Sequence, residues 1–265
     1  MHKARKRFGQ NFLQDQQIIQ QIVKSIAPKP TDVIVEIGPG QGAITEEILA
    51  LTDGNLQVIE LDRDLIPILR TKFFNYPGLN IHEGDALKYD FGQLAKDHNI
   101  RVVGNLPYNI STPLMFHLLE WSEQIQDMHF MLQKEVVERI CAAPGDSAYG
   151  RLGVMMQYYC KTEYLFTVYP ESFDPKPKVD SAIVRLVPKS PSELTATNPS
   201  HFATLVKQSF AQRRKTLRNN LKGLLPVESI EEAGIDPGIR PERVSLAQFV
   251  DLSNLYSLAI QGQRK

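Results

Sequence analysis

The sequence VIVEIGPGQGAITEEIL, residues 33–49, places Gly38, Gly40 and Gly42 between a β-branched run and an amphipathic stretch. The run is typical of a buried strand and the stretch is typical of a helix. Glycines at such a junction let a ligand approach the backbone and present the helix N-terminus to it. The third glycine comes one residue earlier than in the dinucleotide fingerprint G-x-G-x-x-G, and no G-K-[ST] follows, which disfavours a nicotinamide dehydrogenase.

Strand-like and helical patterns alternate through the first two thirds of the chain. A strand followed by a helix, repeated, predicts a parallel sheet covered on both faces. The last two predicted strands are joined by PESFDPKPKVDS (residues 170–181) with no helix between them, so the final strand is expected to be antiparallel. Strands are predicted over residues 32–37, 56–61, 79–82, 100–103, 128–132, 164–169 and 182–187, and helices over 43–51, 64–73, 112–121 and 134–141, with one more ending near 159.

The composition changes after Lys189, where the polar linker SPSELTATNPS (residues 190–200) begins. Helical patterns follow over 201–222 and 227–233, and Ser245 with Gln248 forms a capping box that opens a last helix. The expected fold class is therefore α/β, with a Rossmann-like, mostly parallel sheet in a domain over residues 1–190 and a small all-α domain over residues 191–265.

Charge is unevenly distributed along the 265 residues, although 30 basic side chains balance 30 acidic ones. Residues 1–30 form a basic N-terminal segment with six basic and one acidic residue, and residues 191–265 hold ten basic and seven acidic residues. Such segments either meet a phosphate backbone or form solvated tails. A basic stripe on the predicted helix 201–222 favours RNA-backbone contact, and its members are Lys207, Arg214, Arg218 and Lys222.

The sequence lacks several signals of other protein classes. No stretch reaches the roughly 18 apolar residues of a membrane span, and MHKARKRF at the start has no hydrophobic signal core. We therefore expect a cytoplasmic protein without membrane contact. Cys141 and Cys160 have no CxxC partner and the six histidines show no metal spacing, so no metal is expected. The chain is expected to act as a monomer.

Two acidic residues follow the predicted strands next to the glycine-rich loop. Glu60 ends the second strand, 22 residues beyond Gly38, where folds of this kind place a carboxylate that accepts the ribose hydroxyls. Asp85, in HEGDAL, follows the third strand at the same carboxyl edge of the sheet. Either acid alone is more often a helix cap or a solvated loop residue, but together with the loop they favour a nucleoside ligand.

These motifs together resemble the class I S-adenosylmethionine-dependent methyltransferases. The resemblance rests on EIGPGQG, the acid that ends strand two, and GDA after strand three. It implies S-adenosylmethionine as the cofactor, with Glu60 holding the ribose and Asp85 accepting a hydrogen bond from the adenine amino group. Gly38, Gly40 and Ala86 are the other candidate cofactor contacts in these motifs.

The fourth predicted strand is followed by Asn105, Leu106, Pro107 and Tyr108. An adenine amino group is a poor nucleophile because its lone pair is delocalised into the ring. The Asn105 side-chain oxygen and the Leu106 carbonyl can accept both of its N–H groups, which favours a tetrahedral nitrogen and stabilises the positive charge that develops during transfer. Pro107 stiffens the turn and Tyr108 offers a ring on which a base can stack. The alternative is an ordinary turn after a strand.

NLPY resembles the [DNS]-P-P-[YFW] signature of amino-group methyltransferases, and further motifs narrow the resemblance to the ribosomal RNA adenine dimethyltransferases. In that family the positions matching Asn11 and Leu13 of FGQNFL (residues 8–13) contact the cofactor, as does Asn105, and Phe173 is the stacking face opposite Tyr108. The later matches are QKEVVERI at 133–140, FDPKPKVDSAIVRL at 173–186, FAQRRKTLRNNL at 210–221 and RPERVSLAQF at 240–249. Pro241 departs from the family pattern and puts the local helix boundary in doubt.

Within that family, the clear FDPKPKVDSAIVRL segment and the long C-terminal tail favour the branch that acts on small ribosomal subunits. The resemblance implies dimethylation of two adjacent adenosines in the hairpin near the 3′ end of small-subunit rRNA, with the small subunit as partner. Three alternatives stay open: a resistance-type large-subunit methyltransferase, a DNA adenine methyltransferase, and an assembly factor that mainly binds immature small subunits.

Overall fold

The structure, a computed structural model, describes residues 10–95 and 99–262. Residues 1–9 of the predicted basic segment, including Phe8 and Gly9 of FGQNFL, lie outside the described residues. The chain divides into two compact units, a first unit of residues 1–137 and 163–188 and a second unit of residues 138–162 and 189–265. Residues 138–162 thus belong with the C-terminal segment and not with the predicted domain 1–190, because a helix in this stretch packs against C-terminal helices.

The strands are β1 (Phe12–Leu13), β2 (Val33–Ile37), β3 (Leu56–Glu60), β4 (Leu79–Glu83), β5 (Ile100–Asn105), β6 (Ile125–Gln133), β7 (Cys160–Val168), β8 (Phe173–Asp174) and β9 (Ser181–Pro188). Seven of them form one sheet in the order β4-β3-β2-β5-β6-β9-β7. Strands β2 to β6 pair in parallel, and β9 pairs with β6 antiparallel, as the sequence predicted. The central strands are buried on both faces because their β-branched residues point to either side of the sheet.

Most of the predicted helices have the expected bounds to within a few residues. They are α2 (Ala43–Leu51), α3 (Leu65–Lys72), α5 (Ser111–Leu118), α6 (Lys134–Cys141) and α7 (Arg151–Tyr159). Helix α1 (Gln16–Ile26) and the short α4 (Gly92–Ala95) were not predicted. Asp15 caps α1, because its carboxylate accepts hydrogen bonds from the backbone N–H groups of Gln17 and Ile18. Within the part of the chain that the structure describes, no helix is long and apolar enough to cross a membrane.

A two-stranded ribbon, which the sequence analysis missed, joins distant parts of the first unit. Strand β1 pairs antiparallel with β8, so that Phe12 lies opposite Asp174 and Leu13 lies opposite Phe173. Next to the ribbon, the Ser172 hydroxyl donates to the Asp15 carboxylate at 3.0 Å. The ribbon therefore brings the FGQNFL motif to the segment that contains Phe173.

The prediction of one helix over residues 201–222 is wrong, because this stretch of the second unit forms two helices separated by turns. Helix α8 (Pro199–Ser209) ends early, residues 210–216 form turns, and α9 covers only Leu217–Asn220. The buried Asn220 side chain causes the break by accepting from the Gln212 N–H and donating to the Gln212 and Lys215 carbonyls. The exposed cations Lys207, Arg214, Arg218 and Lys222 thus lie in α8, in the turns after it, in α9 and in the turn after α9, and they do not form one stripe.

The rest of the second unit agrees with the sequence analysis at its last helix. Helix α10 covers Val227–Glu232 and α11 covers Leu246–Gly262. Ser245 and Gln248 exchange the two hydrogen bonds of a capping box, which confirms that prediction. Pro241 opens a short 3₁₀ turn, Pro241–Arg243, ahead of α11.

Candidate active site

The glycine-rich loop connects the end of β2 to α2. Gly38, Gly40 and Gly42 all have positive φ angles, of 66°, 59° and 81°, which favour glycine. A Cβ atom at Gly42 would lie 2.5 Å from the Phe73 ring, so this glycine lets α2 pack closely. A Cβ at Gly38 would meet nothing nearer than the Asn105 carbonyl oxygen at 3.8 Å, so the space beside Gly38 is open to a ligand.

Glu60 ends β3 beside this loop and is 5% exposed. One carboxylate oxygen accepts from the Asp62 N–H at 2.8 Å and the other accepts from the Gly40 N–H at 3.3 Å. Burial raises the pKa of Glu60, and these two hydrogen bonds lower it in part. The carboxylate is thereby held at the open face of the glycine loop, where it can accept ribose hydroxyls.

Asp85 follows β4 and begins a 3₁₀ turn, Ala86–Lys88. Its Oδ1 atom accepts from the Leu87 N–H at 3.0 Å, which fixes the side chain. A carboxylate has two oxygens and several lone pairs, so Asp85 keeps acceptor capacity for an adenine amino group. Both the cap and the ligand contact that the sequence analysis weighed are therefore compatible at this residue.

Glu36 is a further acidic residue of the site that sequence reasoning missed. It is 2% exposed, lies within β2, and accepts a 2.6 Å hydrogen bond from the Thr45 hydroxyl. Burial raises the pKa of Glu36 to about 7, and the neighbouring Glu60 adds to the rise. A glutamate in the middle of an otherwise apolar strand, VIVEI, was the signal that could have identified it.

Asn105 ends β5, and its side chain is fixed by the N-terminal segment. Its Nδ2 atom donates to the Asn11 carbonyl at 3.3 Å, so the amide oxygen is the group left to accept from a ligand. The turn after it is rigid because the Leu106 N–H donates to the Met131 carbonyl and the Ile110 N–H donates to the Pro107 carbonyl. A preorganised acceptor at a strand end is what transfer to an amine requires.

Tyr108 and Phe173, the two predicted stacking residues, both reach this site but differ in exposure. Tyr108 is half-buried, whereas Phe173 is 5% exposed and packs in the core with Leu13. Phe173 therefore offers little open ring surface in this conformation, and a base would contact only the side that faces the site.

One cavity of about 350 Å³ in the first unit collects all of these groups, a volume typical of small-molecule sites. Four acidic side chains line it, those of Glu36, Glu60, Asp62 and Asp85. Although burial raises the pKa of Glu36 to about 7, this acidic lining suits a cationic ligand and disfavours a pyrophosphate. The sequence-predicted residues that line it are Asn11, Leu13, Gly38, Gly40, Glu60, Asp85, Ala86, Asn105, Leu106, Pro107, Tyr108 and Phe173. The predicted RNA contacts Lys207, Arg214, Arg218 and Lys222 belong to the second unit.

The fold and the site together define a class I methyltransferase. A parallel sheet with an antiparallel strand near one edge carries, at successive strand ends, an open glycine loop, two acids and a preorganised amide. The residues fit S-adenosylmethionine, because the acids suit its ribose, adenine and positive charge, and Gly38 leaves backbone space for it. S-Adenosylmethionine is the methyl donor of this enzyme.

Comparison of this chain with known proteins shows the family to which it belongs. The model of the ribosomal RNA adenine dimethylase family matches residues 1–258. Among curated proteins, the ribosomal RNA small subunit methyltransferase A of Marinobacter nauticus is 60% identical over 96% of this chain and 92% of its own length. The protein of the same name from Pseudomonas aeruginosa is 56% identical over 96% of this chain and 94% of its own length.

Solved structures agree with that assignment. A dimethyladenosine transferase from Plasmodium falciparum is 28% identical, with a TM-score of 0.81 over 95% of this chain and 98% of its own. The 23S rRNA methyltransferase ErmE is 25% identical, with a TM-score of 0.74 over 93% of this chain and 100% of its own. The chain belongs to the ribosomal RNA adenine dimethylase family.

Proposed function

We propose that this enzyme dimethylates the N6 amino groups of two adjacent adenosines in the hairpin near the 3′ end of small-subunit rRNA. The relatives named as small-subunit methyltransferases are 55–60% identical to this chain, whereas the large-subunit enzyme ErmE is 25% identical. That difference supports the small subunit as the partner. It disfavours a resistance-type activity on the large subunit.

The observation that carries the proposed chemistry is the orientation of Asn105. Because its Nδ2 atom donates to the Asn11 carbonyl, its Oδ1 atom is the acceptor available to one N–H of the target amine, and the Leu106 carbonyl is available to the other. These acceptors favour a tetrahedral nitrogen whose lone pair is free to react, and they stabilise the positive charge that forms there. Bound S-adenosylmethionine supplies an electrophilic methyl group on a sulfonium.

The substrate adenine must leave its stack to reach this acceptor pair, and leaving the stack costs a few kcal/mol. We assign new stacking contacts for the flipped adenine to Tyr108 and Phe173, which both line the cavity and together form a base pocket. Tyr108 supplies a half-buried ring, and Phe173 supplies a contact from the ribbon. The pocket then holds the amine where the acceptors can act on it.

Docking of the RNA is assigned to the exposed cations of the second unit. Lys207, Arg214, Arg218 and Lys222 are all exposed, so their charges are available to phosphates even without a common helix face. Such contacts position the RNA without taking part in the reaction. We place the reaction in the cytoplasm, with a monomer acting on the small subunit.

The test is transfer of labelled methyl groups from S-adenosylmethionine to isolated small and large subunits. The parent enzyme should label small subunits, at two adjacent adenosines, and should leave large subunits unlabelled. Asn105→Ala should abolish labelling while the calorimetric affinity for S-adenosylmethionine stays within a few fold of the parent. Asn80→Ala, which removes an exposed amide on β4, is the matched control and should keep full activity.

Two results would contradict the proposal. Preferential labelling of large subunits would refute the assigned partner. A rate within a few fold of the parent for Asn105→Ala, at saturating RNA and cofactor, would refute the assigned role of Asn105.

A further inference from the structure

Ser181 lies at the first position of β9 and is 2% exposed. Its Oγ atom is 3.3 Å from the Tyr108 hydroxyl, and the two side chains share a hydrogen bond. We infer that Ser181 is a positioning residue, which fixes the Tyr108 ring in the orientation that receives the target adenine. This inference rests on the base pocket proposed above.

Ser181 is well suited to fix another side chain because its own backbone is held in the sheet. It pairs with Gln133 in the antiparallel ladder between β6 and β9. Directly beside it, the Lys134 N–H donates to the Asp180 carbonyl at 2.9 Å. A buried hydroxyl on a paired strand has little freedom to move, so it provides a fixed point for its partner.

Tyr108 needs such a fixed point because its backbone and its ring are held by different contacts. The Ser111 hydroxyl donates to the Tyr108 carbonyl at 3.2 Å, which secures the backbone of the turn. The ring of a half-buried tyrosine can still rotate about its side-chain torsions. The hydrogen bond to Ser181 holds the far end of the ring and thereby removes that freedom.

One segment of the chain then serves both faces of the base pocket. Phe173 lies in β8 and opens the motif FDPKPKVDSAIVRL, and Ser181 begins β9 within the same motif. The segment contributes Phe173 directly to one face and orients Tyr108, on the other face, through Ser181. This arrangement gives Ser181 a chemical role within the motif, in addition to its place in the ladder.

A different explanation is that the bond merely satisfies a buried serine hydroxyl. In that case Ser181→Ala would lower stability without altering the reaction, because the loss concerns only the folded state. A positioning role instead predicts a slower reaction of bound substrate with little change in RNA affinity, because phosphate contacts dominate that affinity. The two explanations differ in a measurable quantity.

The experiment is a double-mutant cycle on single-turnover methylation of small subunits at saturating RNA and cofactor. Ser181→Ala and Tyr108→Phe should each slow the reaction about three- to tenfold, and the double variant should be no slower than the slower single one, because both changes remove the same hydrogen bond. The dissociation constants for S-adenosylmethionine and for the small subunit should stay within about twofold of the parent. Ser25→Ala, which removes a hydroxyl bonded within α1, is the control and should leave the rate unchanged.

If the double variant were slowed by the product of the two single effects, the two changes would act independently, and that result would overturn the inference. Should Ser181→Ala fail to fold, Tyr108→Phe tests the same bond from a half-buried ring, and a parental rate for it would overturn the inference. Tyr108→Ala separates this inference from the proposed base pocket. Full activity of Tyr108→Ala would overturn the base pocket and this inference together, whereas an inactive Tyr108→Ala with fully active Ser181→Ala would overturn this inference alone.

Discussion

Replacing Glu36 with glutamine is expected to stabilise the protein in the absence of ligand, and to do so increasingly as the pH rises. Burial raises the pKa of Glu36 from 4.5 to about 7. The folded protein therefore keeps a proton that the unfolded chain releases, and stability is lost as the pH rises from 4.5 through 7. Glutamine has no charge to desolvate, and its amide oxygen can accept the bond from the Thr45 hydroxyl that Glu36 now accepts.

The size of the effect follows from the two pKa values. The rise corresponds to about 3 kcal/mol of lost stability once Glu36 is ionised in both states. Linkage then gives an advantage for Glu36→Gln of about 1 kcal/mol at pH 5 and about 3 kcal/mol at pH 8. The steric cost of the substitution is the same at both pH values, so it cancels from the change in unfolding free energy between them.

The assay is urea unfolding of the parent and Glu36→Gln at pH 5 and pH 8, without cofactor. Glu135→Gln, which changes an exposed carboxylate on α6, is the control and should show no such change between the two pH values. A difference in unfolding free energy between parent and Glu36→Gln that is independent of pH would refute the reasoning. So would a variant that becomes less stable than the parent as the pH rises.

Three other substitutions test separate features of the molecule. Gly42→Ala should lower the free energy of unfolding by about 2–4 kcal/mol, because the added Cβ would clash with the Phe73 ring and the backbone is left-handed. The control is Gly223→Ala, where φ is a similar 84° but an added Cβ would have no neighbour within 4 Å, so the loss in the same unfolding assay should be clearly smaller. Equal losses in the two variants would contradict the packing argument. Asp85→Ala should weaken S-adenosylmethionine binding by about 1–3 kcal/mol in calorimetry. Asp85→Asn, whose side-chain oxygen can still accept from the Leu87 N–H, should weaken binding less. Unchanged affinity in both variants would contradict the assigned contact between Asp85 and the adenine. Charge reversal at Arg214 and Arg218 should reduce the salt dependence of small-subunit binding without slowing the saturated single-turnover rate, and the opposite pattern would exclude these residues from RNA docking.

The strands and the site loops could be predicted because each corresponds to a short pattern of residues that are consecutive in the sequence. The runs before Gly38, Glu60 and Asn105 are largely apolar, and the run before Asp85, LNIHE, alternates apolar and polar residues. A parallel sheet brings the ends of such runs to one edge. Local patterns were therefore enough to select residues that line one cavity, although they revealed nothing about hydrogen bonds between them.

The missed features depend on contacts between distant or irregular segments. The β1–β8 ribbon has two residues in each strand, which is too short for an alternating pattern to show. The break between α8 and α9 depends on Asn220, whose side chain competes with helical hydrogen bonds, while the surrounding residues keep a helical pattern. Glu36 was missed because its raised pKa comes from burial, which a strand pattern does not quantify.

The β1–β8 ribbon also fixes the order in which parts of the first unit can form during synthesis of the chain. Leu13 is synthesised long before its strand partner Phe173, which is added only after most of the first unit has been made. Because a chain is built from its N-terminus, β1 is made before six other strands, β2 to β7, and only then does β8 exist. A nascent chain that ends before Phe173 already contains the glycine loop and its acids, but it lacks the residue that closes one side of the cavity.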